Sequence, residues 1–487
     1  AMVFPTVIEQ KVSNLYAGTR GYLLQEVRAE LMARGGMTEA EIDAGGLTIL
    51  TTIDRNWQRA AVKAVKDLPE DRPKGLHVAV ATVDPATGAI RAMYGGADYM
   101  KRQQNAVTQD IAQAGSTFKP IALAAALEDG HELSEGYSGQ SPMKIHDWEV
   151  ENIGNTSYGW MSLLRATENS VNTVYAQLNN EIGGGTTRQA AVALGLPEDT
   201  VGLDSDLTNV LGTASPHPID MARVYATFAS GGVRRDTYIV EAAADPSRTL
   251  VYQGKTKGKR VYSKETMAEL TYALTQVVEA GTGAKAQELE RPAAAKTGTS
   301  EEHRSAWFVG YTPQLATVVA FYQEGKKGKV VELTPFAGLP EINGGALPAQ
   351  VWVDLMRAEH EGFAVVDFPE RPDAAGSGDW EGPAETGGSW DDDSDSDGGD
   401  SDGRGEDQDD DESITSDSED SEDSEDDEDD GGRPAPTRGP TKAPAAPVIP
   451  TQAPTQAPAP PPATPAPPTQ NPTPPPADST EGAAPPP

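Results

Sequence analysis

Apolar positions recur at two different periods along this chain, and the order in which the periods alternate outlines a mixed fold. Between residues 7 and 34, Leu15, Tyr22, Leu23, Val27, Leu31 and Met32 fall near helical spacing among polar neighbours, which predicts a helix ended by Gly35-Gly36. A short helical piece follows at 39–44, the β-branched run 47–53 reads as a strand, and 55–68 reads as a helix rich in Ala and Val. A second set opens near Gly75, where the strands 77–84 and 89–94 flank the tight turn Pro85-Ala86-Thr87-Gly88. Helices are predicted at 117–128, 162–180, 187–194, 218–230 and 264–279, the last stopped by Gly281-Thr282-Gly283. Strands return at 293–299, 305–311 and 315–323, and a helix at 350–361 closes the pattern. Strands at both ends of a long helical middle predict an α/β (α+β) domain whose two ends share one antiparallel sheet.

Composition then shows that only part of the chain follows this pattern. Residues 391–430 hold 24 Asp and Glu against one Arg, leaving −13 of the formal −36 for everything else. Of the 39 prolines, 21 lie between Pro434 and Pro487, interleaved with Ala, Thr and Gln. Neither segment can bury enough apolar surface to offset the entropy of ordering it. Four stretches are therefore expected: an N-terminal linker subdomain at 1–74, a main domain at 75–365, an acidic disordered segment at 366–432, and a Pro/Ala/Thr-rich disordered tail at 433–487. The acidic run reads as a self-repelling spacer and the proline-rich end as a semi-extended one. With no basic stripe, a nucleic-acid partner is not expected. There is no cysteine, and the six histidines are scattered without ligand spacing, so neither a disulfide nor a structural metal is expected, and no cofactor either. No run of 18 apolar residues occurs, hence no predicted membrane span or signal peptide, and Ala1-Met2-Val3-Phe4 reads as a cut inside a longer chain.

Three short signals stand in order within the main domain: Ser116-Thr117-Phe118-Lys119, Ser170-Val171-Asn172 and Lys296-Thr297-Gly298. A serine in the first turn of a helix lies near the positive end of its dipole, and a lysine three residues on shares its face. Partly desolvated and near another cation, Lys119 can hold a lowered pKa and accept the Ser116 proton. Ser141-Pro142-Met143-Lys144 has the same spacing, but the residues after it show no apolar helical face. Across the cleft, the Ser170 hydroxyl is placed to relay a proton, and the Asn172 amide to bond both a lysine and a substrate carbonyl. Gly298 is expected to leave a strand edge open for substrate pairing. Lys296, Thr297 and Thr299 then offer a cation and hydroxyls for a carboxylate, and the backbone N–H groups of Ser116 and Thr299 form an oxyanion hole. The set reads as a serine acyl-transfer site that works without histidine.

These residues resemble the transpeptidase half of the bifunctional, class A penicillin-binding proteins. The likeness runs from about residue 47 to 360 and takes in Val83-Asp84-Pro85-Ala86-Thr87-Gly88, Gln113 to Pro120, Leu211-Gly212-Thr213, Gly281-Thr282-Gly283 and Trp307 to Thr312. The resemblance implies the penicillin-binding, serine β-lactamase-like fold, in which an antiparallel sheet packed with helices is joined to an all-helical subdomain. It also implies a D,D-transpeptidase that cross-links peptidoglycan stem peptides through a Ser116 acyl-enzyme. Lys119 is then the acylation base, Ser170 the relay, and Lys296 with Thr297 and Thr299 the carboxylate site. β-Lactams are implied as inhibitors, and an extracytoplasmic location with a membrane anchor in the full-length parent. The glycosyltransferase domain that precedes this region in the family is not read in this sequence, nor is the glutamate loop with which a β-lactamase activates water. A carboxypeptidase or β-lactamase on the same scaffold, or a non-catalytic sensor, are the alternatives.

Overall fold

The computed structural model describes residues 14–371. Residues 366–371 of the segment expected to be disordered are described and held, Phe368 against Tyr311 and Arg371 on Glu269, whereas its remainder, the proline-rich tail and the first 13 residues lie outside that range. Helix α1 (Arg20–Ala33) is shorter than its pattern, because Asn14–Tyr16 forms a separate 3-10 turn and Gly18 adopts a left-handed φ of 69°. Helix α2 (Glu39–Ala44) begins on a capping box between Thr38 and Glu41. Strand β1 (Thr48–Thr51) leads to α3 (Arg55–Lys66), whose first amides are capped by the Asp54 carboxylate. The hairpin β2 (Leu76–Val83) and β3 (Ile90–Tyr94) follows as read from its alternation.

Helix α4 (Lys119–Glu128) is apolar on every side, and Lys119 to Ala126 are all buried, so it runs through the centre of the helical region. That region, expected to be all-helical, also carries two small ladders. Strand β4 (Gly136–Ser138) pairs with β7 (Trp160–Ser162), and β5 (Met143–Ile145) with β6 (Trp148–Val150). Three-residue strands are too short to show a period of two. Lys144 of the second Ser-x-x-Lys match lies in strand β5 and not in a helix.

The single helix predicted at 162–180 is two: α5 (Leu163–Glu168) and α6 (Asn172–Ile182), broken where Ser170 takes a left-handed φ of 58°. Helices α7 (Gly184–Leu194) and α8 (Pro218–Ala229) complete the middle. Four strands then intervene that the sequence pattern did not predict: β8 (Val233–Arg234), β9 (Val240–Ala244), β10 (Leu250–Gln253) and β11 (Lys259–Arg260). Strand β9 lies between β1 and β10, so the N-terminal region is completed by residues about 190 positions downstream, a long-range pairing that no local pattern encodes.

Helix α9 (Lys264–Glu279) is capped by Ser263, and β12 (Ala294–Thr299), β13 (Ser305–Tyr311), β14 (Ala316–Glu324), β15 (Val330–Val331) and α10 (Leu347–Glu359) end the domain. The main sheet has the order β12-β13-β14-β2-β3, with β15 on the end of β14, so the two ends of the domain do share one sheet. Alternation sends Trp307, Val309 and Tyr311 of β13 to one face, against α8 and α9, and Ala306 and Phe308 to the other, against α3 and α10. At the β3 edge, the Gln58 side chain bonds both the N–H and the C=O of Met93, Asp54 N–H donates to Arg91 O, and Thr52 Oγ1 donates to Ile90 O. The β12 edge carries no further strand among the described residues.

One buried group stands out on the α10 side. Glu359 is fully buried and neither carboxyl oxygen is hydrogen-bonded. The Thr82 and Thr317 hydroxyls bond each other at 2.9 Å and lie beside the carboxyl without meeting hydrogen-bond geometry, so they offset the burial only weakly. Burial pushes the acid up to about 8. Between the ordinary carboxyl range and pH 8 the folded chain therefore holds a proton that the unfolded chain releases, and stability falls as pH rises through that window. At about 1.4 kcal/mol per pKa unit, Glu359→Gln is expected to gain on the parent chain by on the order of 3 kcal/mol between pH 5 and pH 8, read from urea unfolding midpoints. An unchanged difference between the two pH values would show that Glu359 is already ionised when folded.

Candidate active site

Backbone pairing holds the segment ahead of Ser116 on both sides. Ala114 N–H donates to Ala214 O at 2.9 Å and Gly115 N–H to Gly212 O at 3.1 Å. On the other side Gln113 O accepts from Ser305 Oγ at 2.6 Å and from Trp307 Nε1 at 2.8 Å. Gly115 has a φ of 55°, and a Cβ on Gly212 would lie 2.0 Å from Gly115 O, so both glycines are required by this close approach. The chain then enters a 3-10 turn, Gly115–Phe118, which passes directly into α4 at Lys119.

That geometry brings Lys119 Nζ to 3.0 Å from Ser116 Oγ. The same amine lies 2.6 Å from Ser170 O, 3.2 Å from Ser170 Oγ and 2.7 Å from Asn172 Oδ1. The left-handed turn at Ser170, which costs an L-residue about 1–2 kcal/mol, is what aims that carbonyl at the amine. From the opposite wall, Lys296 Nζ donates to Ser170 Oγ at 2.8 Å and to Thr297 O at 3.0 Å. Ser116, Ser170 and Asn172 thus converge on the Lys119 amine, and Lys296 joins them through the Ser170 hydroxyl.

Both amines are wholly buried. Burial pushes Lys296 down to about 7. Lys119 is driven well below the usual lysine range, first by burial and then by the charge of Lys296. Near neutral pH the proton left to the pair therefore resides on Lys296. A neutral Lys119 has two N–H donors and one lone pair. The carbonyls of Ser170 and Asn172 cannot donate, so they take the two N–H bonds, and the lone pair is left to face the hydroxyl hydrogen of Ser116.

Strand β12 supplies the rest. Ser300 N–H bonds Ser305 O, so by antiparallel alternation Gly298 and Lys296 use their backbone groups on β13, while those of Thr297 and Thr299 face the open edge. The Thr299 N–H and the Ser116 N–H, an uncompensated first-turn donor, thereby stand on the same side as the nucleophile. Thr297 Oγ1 bonds Thr282 Oγ1 at 2.7 Å. A cleft of about 910 Å³ opens over these groups, lined by Ser116, Asn172, Thr282, Thr297 and Thr299.

Residues 78–334 match the model of the penicillin binding protein transpeptidase domain. The chain belongs to that family. Among curated relatives it is 32% identical to penicillin-binding protein 1A of Mycolicibacterium smegmatis over 77% of this chain and 50% of the relative. It is 31% identical to penicillin-binding protein 1A of Neisseria lactamica over 63% of this chain and 38% of the relative. The chain spans about half the length of the first of these and less of the second. Among solved structures it is similar to the penicillin-binding protein PonA1 of Mycobacterium tuberculosis, at a TM-score of 0.66 and 28% identity, over 72% of this chain and 94% of that one. The same protein in complex with penicillin V gives a TM-score of 0.66 at 29% identity, over 72% and 96%. The fold is thus the penicillin-binding transpeptidase fold, and this is a transpeptidase domain of the class A kind.

Two features of this transpeptidase domain differ from what its sequence suggested. Gly298 was expected to clear the way for substrate; instead, a Cβ there would sit 2.6 Å from Thr117 Cγ2 and 2.8 Å from Ala114 O. The glycine lets the nucleophile turn lie against β12. Asn172 already commits one amide donor to Glu151 O at 2.8 Å, leaving one for a substrate carbonyl. Sequence reasoning gave no role to Thr282, Ser305 or Trp307, nor to the cleft wall formed by Trp148, Glu151 and Ile153. The conspicuous Gly281-Thr282-Gly283 was a signal for the first; the wall carried none.

The state of Lys296 has a pH consequence. Its charge is present below about 7 and lost as pH rises through that value, while burial and that charge hold Lys119 well below the usual lysine range. The second-order rate of acylation by a carboxylate-bearing penicillin is expected to fall above pH 7, and a Lys296→Arg variant to keep its rate flat there. Stopped-flow quenching of intrinsic fluorescence measures both, and a parent profile rising through pH 7 to 9 would overturn the assignment of the proton.

Proposed function

We propose that this chain is a D,D-transpeptidase that cross-links peptidoglycan stem peptides outside the cytoplasm. Ser116 Oγ attacks the carbonyl between the last two D-alanines, and its proton passes to the Lys119 amine. Negative charge on the carbonyl oxygen is met by the N–H groups of Ser116 and Thr299. Ser170 Oγ, bridging Lys119 and Lys296, relays the proton to the departing D-alanine nitrogen, so the leaving group exits as a neutral amine. Lys296, Thr297 and Thr299 hold the terminal carboxylate along the β12 edge. An amine of a second stem then attacks the acyl-enzyme, forms the new amide and regenerates Ser116.

The observation that carries this reading is the 3.0 Å approach of the buried Lys119 amine to Ser116 Oγ, with burial and the Lys296 charge lowering that amine's hold on a proton. β-Lactams, whose strained amide copies the D-Ala-D-Ala terminus, acylate the same oxygen. A hydrolase on this scaffold needs a group that activates water. The glutamates along the cleft, among them Glu149, Glu151 and Glu341, make no hydrogen bond to Ser116, Lys119 or Ser170 among the described residues. The acyl-enzyme is therefore expected to persist.

Intact mass measurement after penicillin G treatment, followed by peptide mapping, tests this. One adduct per chain on the peptide holding Ser116 is expected, stable for many minutes, absent in Ser116→Ala and slowed by at least about a hundredfold in Lys119→Ala. Labelling of Ser116→Ala at the parent rate would remove the proposed nucleophile. Rapid loss of the adduct with steady penicilloate release would move the reading to a hydrolase.

A further inference from the structure

In a chain with a formal charge of −36, one surface is strongly cationic. The β8–β11 ladder pairs Arg234 with Lys259 and Val233 with Arg260. Arg235 reaches over Gly258, with Nη2 3.1 Å from where a Cβ would stand. Arg34 crosses from α1 to donate to Thr237 O at 3.1 Å and to Lys255 O at 3.4 Å. Lys257 lies between these points, and Lys255, Lys257, Lys259 and Arg260 are all exposed. None of these seven cations pairs with a carboxylate among the described residues, and the three lysines make no side-chain hydrogen bond there.

This basic surface continues into an apolar one. Strand β10, an edge strand, runs directly into the basic loop. On the outer face of the β1-β9-β10 sheet, Leu50 is 61% exposed and Leu250 56% exposed, and Val251 beside them is exposed as well. Tyr252 turns the other way, its hydroxyl on Glu30 at 2.7 Å. The inner face of this small sheet is thus packed, while the outer one shows aliphatic side chains beside unpaired cations.

We propose that the outer face of the β1-β9-β10 sheet and the adjoining 255–260 loop form a docking surface for an anionic lipid bilayer. Cations beside exposed aliphatic residues are the combination an interface rewards, since phosphate headgroups meet the charges while the aliphatics enter the acyl boundary. A soluble phosphate polymer would satisfy the lysines and leave Leu50 and Leu250 in water, which is why the lipid is the favoured partner. Of the acidic residues nearby, Asp236 lies 3.8 Å from Arg223 and Asp245 accepts from Ser247 and from the Thr249 N–H, while those farther than about 8 Å are screened at physiological salt. None of these residues lines the active-site cleft, so the proposal stands apart from the acyl-transfer reading.

Co-sedimentation of the full chain with vesicles of phosphatidylglycerol and phosphatidylcholine in equal parts, against vesicles of phosphatidylcholine alone, tests this. Binding to the anionic vesicles only is expected, lost at about 1 M salt, where the screening length is about 3 Å. Each charge is worth roughly a factor of five in partition, so the triple variant Lys255→Gln, Lys257→Gln, Lys259→Gln is expected to bind about a hundredfold more weakly. It should retain the parent's rate of labelling by fluorescent penicillin, which shows that it is folded. The matched triple Lys326→Gln, Lys327→Gln, Lys329→Gln, on an exposed basic loop elsewhere, is expected to bind like the parent, and Leu250→Ser to bind several-fold more weakly. Equal binding to neutral vesicles, no binding, or equal loss in both triples would overturn the proposal. So would polyphosphate binding as tight as vesicle binding together with an unaffected Leu250→Ser, which would mark a site for a phosphate polymer instead.

Discussion

Two lysine amines share one serine hydroxyl in a place where neither can be solvated. An ammonium carried from water into such surroundings loses several kcal/mol of hydration, and two of them side by side would repel as well. The site resolves this by giving up a proton from Lys119, whose remaining hydrogens are taken by the Ser170 and Asn172 carbonyls. What is left is an unprotonated amine aimed at Ser116 and a charged neighbour beyond Ser170. On the proposed reading, burial and the Lys296 charge together leave a base beside its nucleophile, without the imidazole that serine acyl transfer more often uses.

Such a site makes demands on elements far apart in sequence. Lys119 must be inside, so α4 is apolar all round and runs through the centre of the helical region. Ser170 must turn its carbonyl and hydroxyl the same way, so the helix that contains it breaks at a left-handed residue. Lys296 must reach inward from a strand whose edge is free, so the nucleophile turn approaches β12 more closely than any side chain at 298 would allow. Gly115, Gly212 and Gly298 are three answers to that one requirement of backbone lying on backbone.

Much of this was legible in the residues. The hairpin at 76–94, helix α9 and the strands β12 to β14 follow from local period and turn chemistry, and the three motifs picked out residues that the fold brings together. Other parts were not. The break at Ser170 is invisible because Thr167, Val171, Val174, Tyr175 and Leu178 keep helical spacing across it. The β1-β9-β10 sheet joins residues about 190 positions apart, and three of the five residues of β9 are alanine, so neither period nor composition marks it. Gly298 was read correctly as necessary and wrongly as to cause, because the sequence does not show that Thr117 lies on that face of the strand.

A sheet with two edges offers two places for an extended peptide to add, and only one of them is useful here. The β3 edge is consumed: Gln58 takes both backbone groups of Met93, Thr52 and Asp54 donate to the carbonyls of Ile90 and Arg91, and the Ile90 N–H donates to Tyr238 O. These residues lie in the N-terminal region, where α3 also packs beneath the sheet with α10. The edge at β12 is left unpaired but not bare, since the Ser116 turn stands over one side of it and Gly344 would meet Gly298 N at 3.0 Å if it carried a Cβ. On the proposed reading, a peptide pairs with Thr297 and Thr299 only by entering the cleft. Closing one edge with the N-terminal region and fencing the other turns a general liability of β-sheets into a single, directed place of binding.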